Sequence, residues 1–232
     1  MKLLALESSA KAASCAVLED GALLASAWQA TGLTHSRTLL PMAEDMLRNS
    51  ELTVQDMDAV AVAAGPGSFT GLRIGVAAVK GLAWASEKPC IPVSTLEAMA
   101  WPLACMGGLI VCAMDARRQQ IYNAVFLADG GTLTRLREDR ALSLEDAAAD
   151  LAKMDGPMTI VGDGARLCYD FLTGRGTACQ LAPGHLRLQS AVGVGLAAYR
   201  RWPEGTVSAQ DLTPVYLRLS QAERERLARE EK

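Results

Sequence analysis

The chain has 232 residues, half of them hydrophobic, 21% charged, with a formal net charge of −3 at pH 7 and a pI near 5.5. This is a globular balance with enough apolar residues for one large or two small cores, and it excludes a disordered chain. It also argues against a protein that grips nucleic acid unaided, because such proteins carry a basic face.

The first apolar run, Leu3 to Leu6, predicts a buried strand. It ends at Glu7 and is too short for a signal segment or a membrane span, so the expected compartment is the cytosol, with no membrane partner. Glu7-Ser8-Ser9 reads as a polar turn, Ser14 to Leu18 as a second strand, Asp20-Gly21 as a hairpin turn and Ala22 to Trp28 as a third strand. Helical spacing of Leu39, Met42 and Met46 predicts a helix from near Thr38 to Arg48, with Pro41 in its first turn, where a missing N–H is harmless. Asp58 to Ala64 is a strand, followed by a glycine-rich corner and a long helix to about Ser86. Pro89 to Val93 is a strand, and Ser94 opens a helix.

The pattern restarts after Met106-Gly107-Gly108. Strands are expected at Leu109 to Met114 and Ile121 to Leu127, a turn at Asp129-Gly130-Gly131, a helix at Leu144 to Met154, a strand at Met158 to Val161, and helices at Arg166 to Leu172 and Ala191 to Trp202. Two related α/β halves are the natural reading, 1–105 and 106–220, with a charged tail at 221–232. Ser220 and Glu223 fit a capping box that would start a solvated helix in that tail. The six cysteines, Cys15, Cys90, Cys105, Cys112, Cys168 and Cys179, sit mostly in apolar runs without a CxxC spacing. They read as reduced core residues rather than zinc ligands.

The corner, Gly65-Pro66-Gly67-Ser68-Phe69-Thr70-Gly71-Leu72-Arg73-Ile74-Gly75, places free N–H groups at a helix start, where an anion can sit. It fails the known signatures. There is no Gly-Lys-Ser/Thr for a P-loop, Thr70 stands where a dinucleotide fingerprint needs glycine, and Pro66 and Thr70 break a GxSxG elbow. With His35 and His185 the only histidines, a serine triad is poorly supplied. Gly71, Gly75 and Ala78 share one helical face beside the stripe Leu72, Val76, Val79. Two readings stay open for it: close packing on the chain's own sheet, or contact with a helix of a second subunit.

The glycine corner, with Thr34-His35-Ser36-Arg37, Met114-Asp115-Ala116-Arg117-Arg118, Val161-Gly162-Asp163-Gly164 and Pro214-Val215-Tyr216-Leu217-Arg218, resembles the TsaB (YeaZ) family over essentially residues 1–220. The resemblance implies an α/β, actin-like ATPase fold (ASKHA, ribonuclease H-like) in two related halves. It implies an accessory role beside TsaD and the ATPase TsaE, in a complex that places threonylcarbamoyl on the adenosine next to the anticodon of tRNA. It further implies a heterodimer with TsaD, tRNA contact only through the complex, and a homodimer when the chain is alone. The interface expected from it comprises Leu39, Met42, Met46, Gly71, Leu72, Gly75, Val76, Ala78 and Val79.

The catalytic relative TsaD carries two histidines at i,i+4 after its glycine helix, a spacing that brings both to one metal. Thr95 and Met99 stand at those positions here, so no catalytic residue, metal or cofactor is expected. Glu97, which remains, is spaced with Ser94 as a capping box. A vestigial nucleotide site is expected at Glu7, Ser8, Ser9, Asp115, Gly162 and Gly164, with Arg117 and Arg118 obstructing the phosphate hairpin. An independent ATP-dependent kinase or a peptidase is the competing class, lacking its catalytic set. Direct tRNA binding would fall to Arg117-Arg118, Arg135/Arg137/Arg140 and Arg200-Arg201, which the acidic total marks as solvated faces or ion-pair partners.

Overall fold

The computed structural model describes residues 1–218. The first half opens with strands β1 (Lys2–Glu7), β2 (Ala13–Glu19) and β3 (Ala22–Gln29) as an antiparallel meander. Helix α1 (His35–Asn49) leads to β4 (Ala59–Gly65), and α2 (Phe69–Ser86) to β5 (Cys90–Ser94). Both later strands run parallel to β1, giving the order β3-β2-β1-β4-β5. β1 and β4 are near-continuous apolar runs because both sheet faces are covered. Helix α3 (Thr95–Ala100) crosses to the second half.

There, β6 (Gly108–Asp115), β7 (Gln120–Asp129) and β8 (Thr132–Ser143) repeat the meander. They are followed by α4 (Leu144–Leu151), β9 (Met158–Val161), α5 (Ala165–Thr173), the short β10 (Gln180–Leu181) and α6 (Ala191–Arg201). The order is β10-β9-β6-β7-β8, the first sheet's order repeated strand for strand. Two copies of this arrangement, each with helices on its faces, make the actin-like, ribonuclease H-like α/β fold. Among the described residues no helix is long and apolar enough to cross a membrane.

Four details depart from the sequence reading. Helix α1 begins at His35, so Pro41 lies in its interior rather than its first turn, and the bond to the Arg37 carbonyl is lost there. Strand β8 was not anticipated, because Arg135, Arg137, Glu138, Asp139 and Arg140 mask its alternation. Helix α6 follows the second half in sequence but packs on the first sheet, where Val194, Ala197 and Ala198 meet Leu3, Ala5 and Leu18. The segment after it stays with that half: Val207 bridges Cys90, and Leu212 enters the core under α1 and α2. The chain from 191 to 212 thus packs with the first half. The expected tail helix falls outside the described residues.

Candidate functional site

The glycine corner joins three pieces of backbone. Gly65 has φ of 140°, and a Cβ there would lie 2.1 Å from the Val215 carbonyl oxygen, so only glycine fits. On the helix, a Cβ at Gly71 would lie 2.2 Å from the Ser8 carbonyl oxygen and one at Gly75 2.6 Å from Ser8 Oγ. Polar groups of the corner are engaged with the same neighbours. Ser68 N donates to the Ser9 carbonyl at 2.7 Å, Ser8 Oγ to the Gly71 carbonyl at 2.9 Å, and Val215 N to the Ala64 carbonyl at 2.7 Å. Ser68 Oγ caps α2 by accepting from Gly71 N at 3.4 Å. The corner is a clamp that seats the β1–β2 turn on one side and the 214–218 segment on the other.

Most of the residues expected at an interface face inward. Leu39, Met46, Gly71, Leu72, Gly75, Val76 and Val79 are buried, and Met42 and Ala78 are half-buried against the same core. They hold α1 and α2 on the first sheet. The outward ridge of α2 is instead Arg73, Ala77, Gly81 and Trp84, the last 72% exposed. On α1 the outward residues include Leu40, Pro41 and Glu44. A Cβ at Gly81 would meet nothing within 4 Å.

Between the halves lies a cleft of about 390 Å³, lined by Ser9, Lys11, Asp115, Arg117, Asp163 and Arg218 among others. Of the expected nucleotide residues, only Ser9 and Asp115 line it. Glu7 and Ser8 lie buried beneath. Gly162 and Gly164 serve packing, since a Cβ at either would strike the Ala113–Asp115 backbone. Lys11, Tyr122, Asp163 and Arg218, which do line the cleft, were not read as site residues; they come together only through the fold.

The cleft does not fit a triphosphate held in the manner of this fold. The turn between β6 and β7 has Arg117, Arg118 and Gln119 at φ of 65°, 54° and 56°, a left-handed turn without glycine. The N–H groups at its start are engaged: Ala116 N donates to the Gln120 carbonyl at 3.0 Å and Arg117 N to Asp115 Oδ1 at 2.8 Å. Across the mouth, Tyr216 stacks on Phe69 at 4.5 Å between ring centroids, Arg73 Nε donates to Tyr216 Oη at 3.2 Å, and Arg218 donates to the Ala116 carbonyl. The 214–218 segment therefore straps the two halves together. Below, Glu7 is fully buried; Oε1 accepts from Ser9 N at 2.5 Å and Oε2 has no protein partner. Burial pushes its carboxyl up to about 7. Asp163 is also raised by burial, against a hydrogen bond from Gln189 Nε2 at 3.2 Å.

Thr95 and Met99 are buried in α3. Met99 packs among Leu96, Leu103, Ile110 and Phe126, filling the space beside β6 and β7 with apolar side chains. Among the described residues no group of three or more His, Cys, Asp or Glu side chains is placed to hold a metal. Ser94 caps α3, accepting from Glu97 N at 3.1 Å. The carboxylate of Glu97, expected to complete a capping box, points elsewhere. Its Oε2 accepts from Arg135 Nη2 at 3.0 Å and Arg201 Nη2 at 2.7 Å. Arg135 Nη1 also donates to Asp139 Oδ1 at 2.6 Å, and Ser94 Oγ to Asp139 Oδ2 at 2.5 Å. Glu97 is thus the centre of a polar joint between the halves. Burial pulls the Arg135 guanidinium down, but Asp139 and Glu97 outweigh it and hold it above its ordinary value.

The remaining arginine clusters are largely engaged as well. Arg137 grips Asp150 through two 2.9 Å bonds, and Arg140 reaches Asp150 at 2.6 Å and Asn123 at 2.9 Å. Hydrogen bonding from Arg137, with Arg140, lowers the Asp150 carboxyl to about 2. Arg200 lies 3.7 Å over the Trp101 ring.

A family model described as TsaD, tRNA N6-adenosine threonylcarbamoyltransferase, matches residues 29–209. Over 94% of this chain and 95% of the relative's length, the sequence is 33% identical to the tRNA threonylcarbamoyladenosine biosynthesis protein TsaB of Escherichia coli. The chain belongs to the TsaB family. The Bacillus subtilis TsaB is 31% identical over 96% of both chains. A solved structure of YeaZ from Pseudomonas aeruginosa superposes with a TM-score of 0.81 at 29% identity, over 93% of this chain and 99% of that one. The match to the TsaD model adds that a TsaB chain and TsaD share one pattern across α1, α2 and the joint between the halves.

Proposed function

We propose that this chain is a non-catalytic accessory subunit of the threonylcarbamoyl transferase assembly, working with TsaD and TsaE in the cytosol to form N6-threonylcarbamoyladenosine beside the anticodon of tRNA. The observation that carries the reading is the α3 region. The two positions that resemble the TsaD histidine pair are Thr95 and Met99, both buried, and Glu97 between them serves as an ion-pair hub. Neither a hydroxyl nor a thioether replaces imidazole for such a metal. Family membership supports the pathway, and the kinase or peptidase alternative has no supporting constellation among the described residues.

TsaD docks on the outward ridge of α1 and α2. Gly81 supports this choice: a mid-helix glycine costs about 1 kcal/mol against alanine, and among the described residues a Cβ there would meet nothing within 4 Å. An incoming helix can approach closely there. tRNA is met through the assembly, because most arginines of the candidate clusters are held by acids or aromatic rings of the chain itself. A reconstituted modification assay with TsaD, TsaE and tRNA tests the reading. Product should form with the chain present and fall to background without it; full activity without it would remove the accessory role.

A further inference from the structure

Each five-stranded sheet has two edge strands, and an exposed edge is a template for pairing unless it is blunted. β10 has two residues, β5 carries Pro92 and is bridged by Val207, and β8 carries Arg135, Arg137, Glu138, Asp139 and Arg140. β3 has no such protection. It reads Ala-Leu-Leu-Ala-Ser-Ala-Trp-Gln over eight residues, with neither charge nor proline. Among the described residues no strand other than β2 pairs with it.

The side chains of β3 alternate between two grooves of different chemistry. Ala25 and Ala27 turn toward the core under α1, and with that helix they bound an open groove of about 730 Å³. Its far wall is the row Arg37, Pro41, Asp45 and Asn49, spaced four apart along α1 and all exposed. Asp45 is paired with Arg48, so Arg37 sets the sign of this groove. On the opposite sheet face Trp28, whose Nε1 donates to the Gln189 carbonyl at 3.1 Å, bounds a mainly apolar groove of about 410 Å³ with Leu23, Met99, Pro102, Leu188 and Val192. The free edge therefore lies between a polar, positive groove and an apolar one.

We infer that the β3 edge takes up an extended segment of a partner protein as a sixth strand, one whose side chains alternate apolar with acidic. A strand added to an edge gains main-chain hydrogen bonds that any sequence can make, and the pockets for its alternate side chains supply the selectivity. Here one set of side chains enters the Trp28 groove and favours apolar residues. The other set runs along the α1 row, where an acid meets Arg37. A second copy of β3 lacks this chemistry, because an uncharged strand brings no acid to Arg37. The chain's own residues 219–232 lack it too, since none of their apolar residues, Leu219, Ala222, Leu227 and Ala228, stand two apart. The inference goes beyond the accessory reading and does not depend on where TsaD docks.

Fluorescence anisotropy on the full chain tests the inference with three labelled peptides. They are Thr-Val-Glu-Val-Thr-Val-Glu-Val, the same peptide with Lys for Glu, and one of the first composition with its valines in a block. The wild type should bind the alternating Glu peptide at least about tenfold more tightly than either of the others. Arg37→Glu should reverse the order of the Glu and Lys peptides, which a misfolded variant cannot do, and Arg37→Gln should bring the two together. Hydrogen exchange on the wild type, which needs no variant to fold, should show β3 amides gaining protection when the Glu peptide is added. Equal binding of the alternating and block peptides overturns the inference. So does a Glu-over-Lys preference that both Arg37 variants keep, or protection that appears elsewhere than β3. Protection of β3 that rises with chain concentration and resists the peptide would give the edge to a second copy and overturn it as well.

Discussion

The two halves share a strand order and use it differently. In the first, two long helices, α1 and α2, cover one sheet face and turn a ridge outward, while α6 arrives from the far end of the chain to cover the other. In the second, α4 and α5 have eight and nine residues, and the arginines of β8 are tied to Asp139, Asp150 and Glu97. The first half thus presents surface and the second braces it. The difference shows that one strand order, used twice, can carry two different kinds of surface.

That contrast can be broken at its strongest point by comparing the two faces of α2. Gly75→Arg drives a long side chain into Ser8 and Val62, and should lose the folded state, a cost above about 4 kcal/mol. Gly81→Arg enters open space and should keep or slightly raise the melting temperature. Thermal unfolding followed by circular dichroism checks both.

The floor of the cleft comes next. The Glu7 carboxyl is raised from 4.5 to about 7 by burial, so the folded chain keeps a proton that the unfolded chain has released. Stability from this group therefore falls as pH rises from about 4.5 to about 7, and the cost is fully present above that window. Asp163, raised too, steepens the same slope. Glu7→Gln should stabilise the chain by ~3 kcal/mol at pH 8 and by almost nothing at pH 4. Urea unfolding at the two pH values reads the difference; an equal effect at both would show that Glu7 is not held protonated.

The joint between the halves is a smaller test. Glu97→Ala leaves Arg135 and Arg201 without their shared acid. Because these side chains are 16–39% exposed, the cost should be ~2 kcal/mol rather than that of a fully buried pair. Hydrogen exchange should rise in α3 and β8 together if the joint couples the halves. The smallest effect lies at the β6–β7 turn. Arg118→Gly relieves a left-handed residue and should stabilise by ~1 kcal/mol, visible as a small rise in melting temperature.

Much of the fold was legible because its strands are unbroken apolar runs ending at glycines or acids. The repeat was visible in the restart at Gly107-Gly108, and the corner in its glycines. What escaped depended on long-range packing. β8 hides among charges because its side chains form ion pairs that sequence spacing does not reveal. The return of α6 to the first sheet is a contact between Val194 and Leu18-side residues that are far apart in the chain. The residues expected at an interface lie on α1 and α2 and face mostly inward. Small residues at Gly71 and Gly75 suggested an outside contact, yet Leu72, Val76 and Val79 beside them already marked that face as inward. The exposed row Arg73, Ala77, Gly81 follows by rotating half a turn. Glu97 was read locally, as a cap, because its arginine partners lie 38 and 104 residues away.

The most direct measurement is the affinity of TsaD for this chain and for its Gly81→Arg variant, by calorimetry, with folding of the variant verified. The account predicts tight binding by the wild type and a loss of at least about a hundredfold, or ~3 kcal/mol, in a variant that folds normally. Undiminished binding by Gly81→Arg would contradict it and place the docking surface elsewhere.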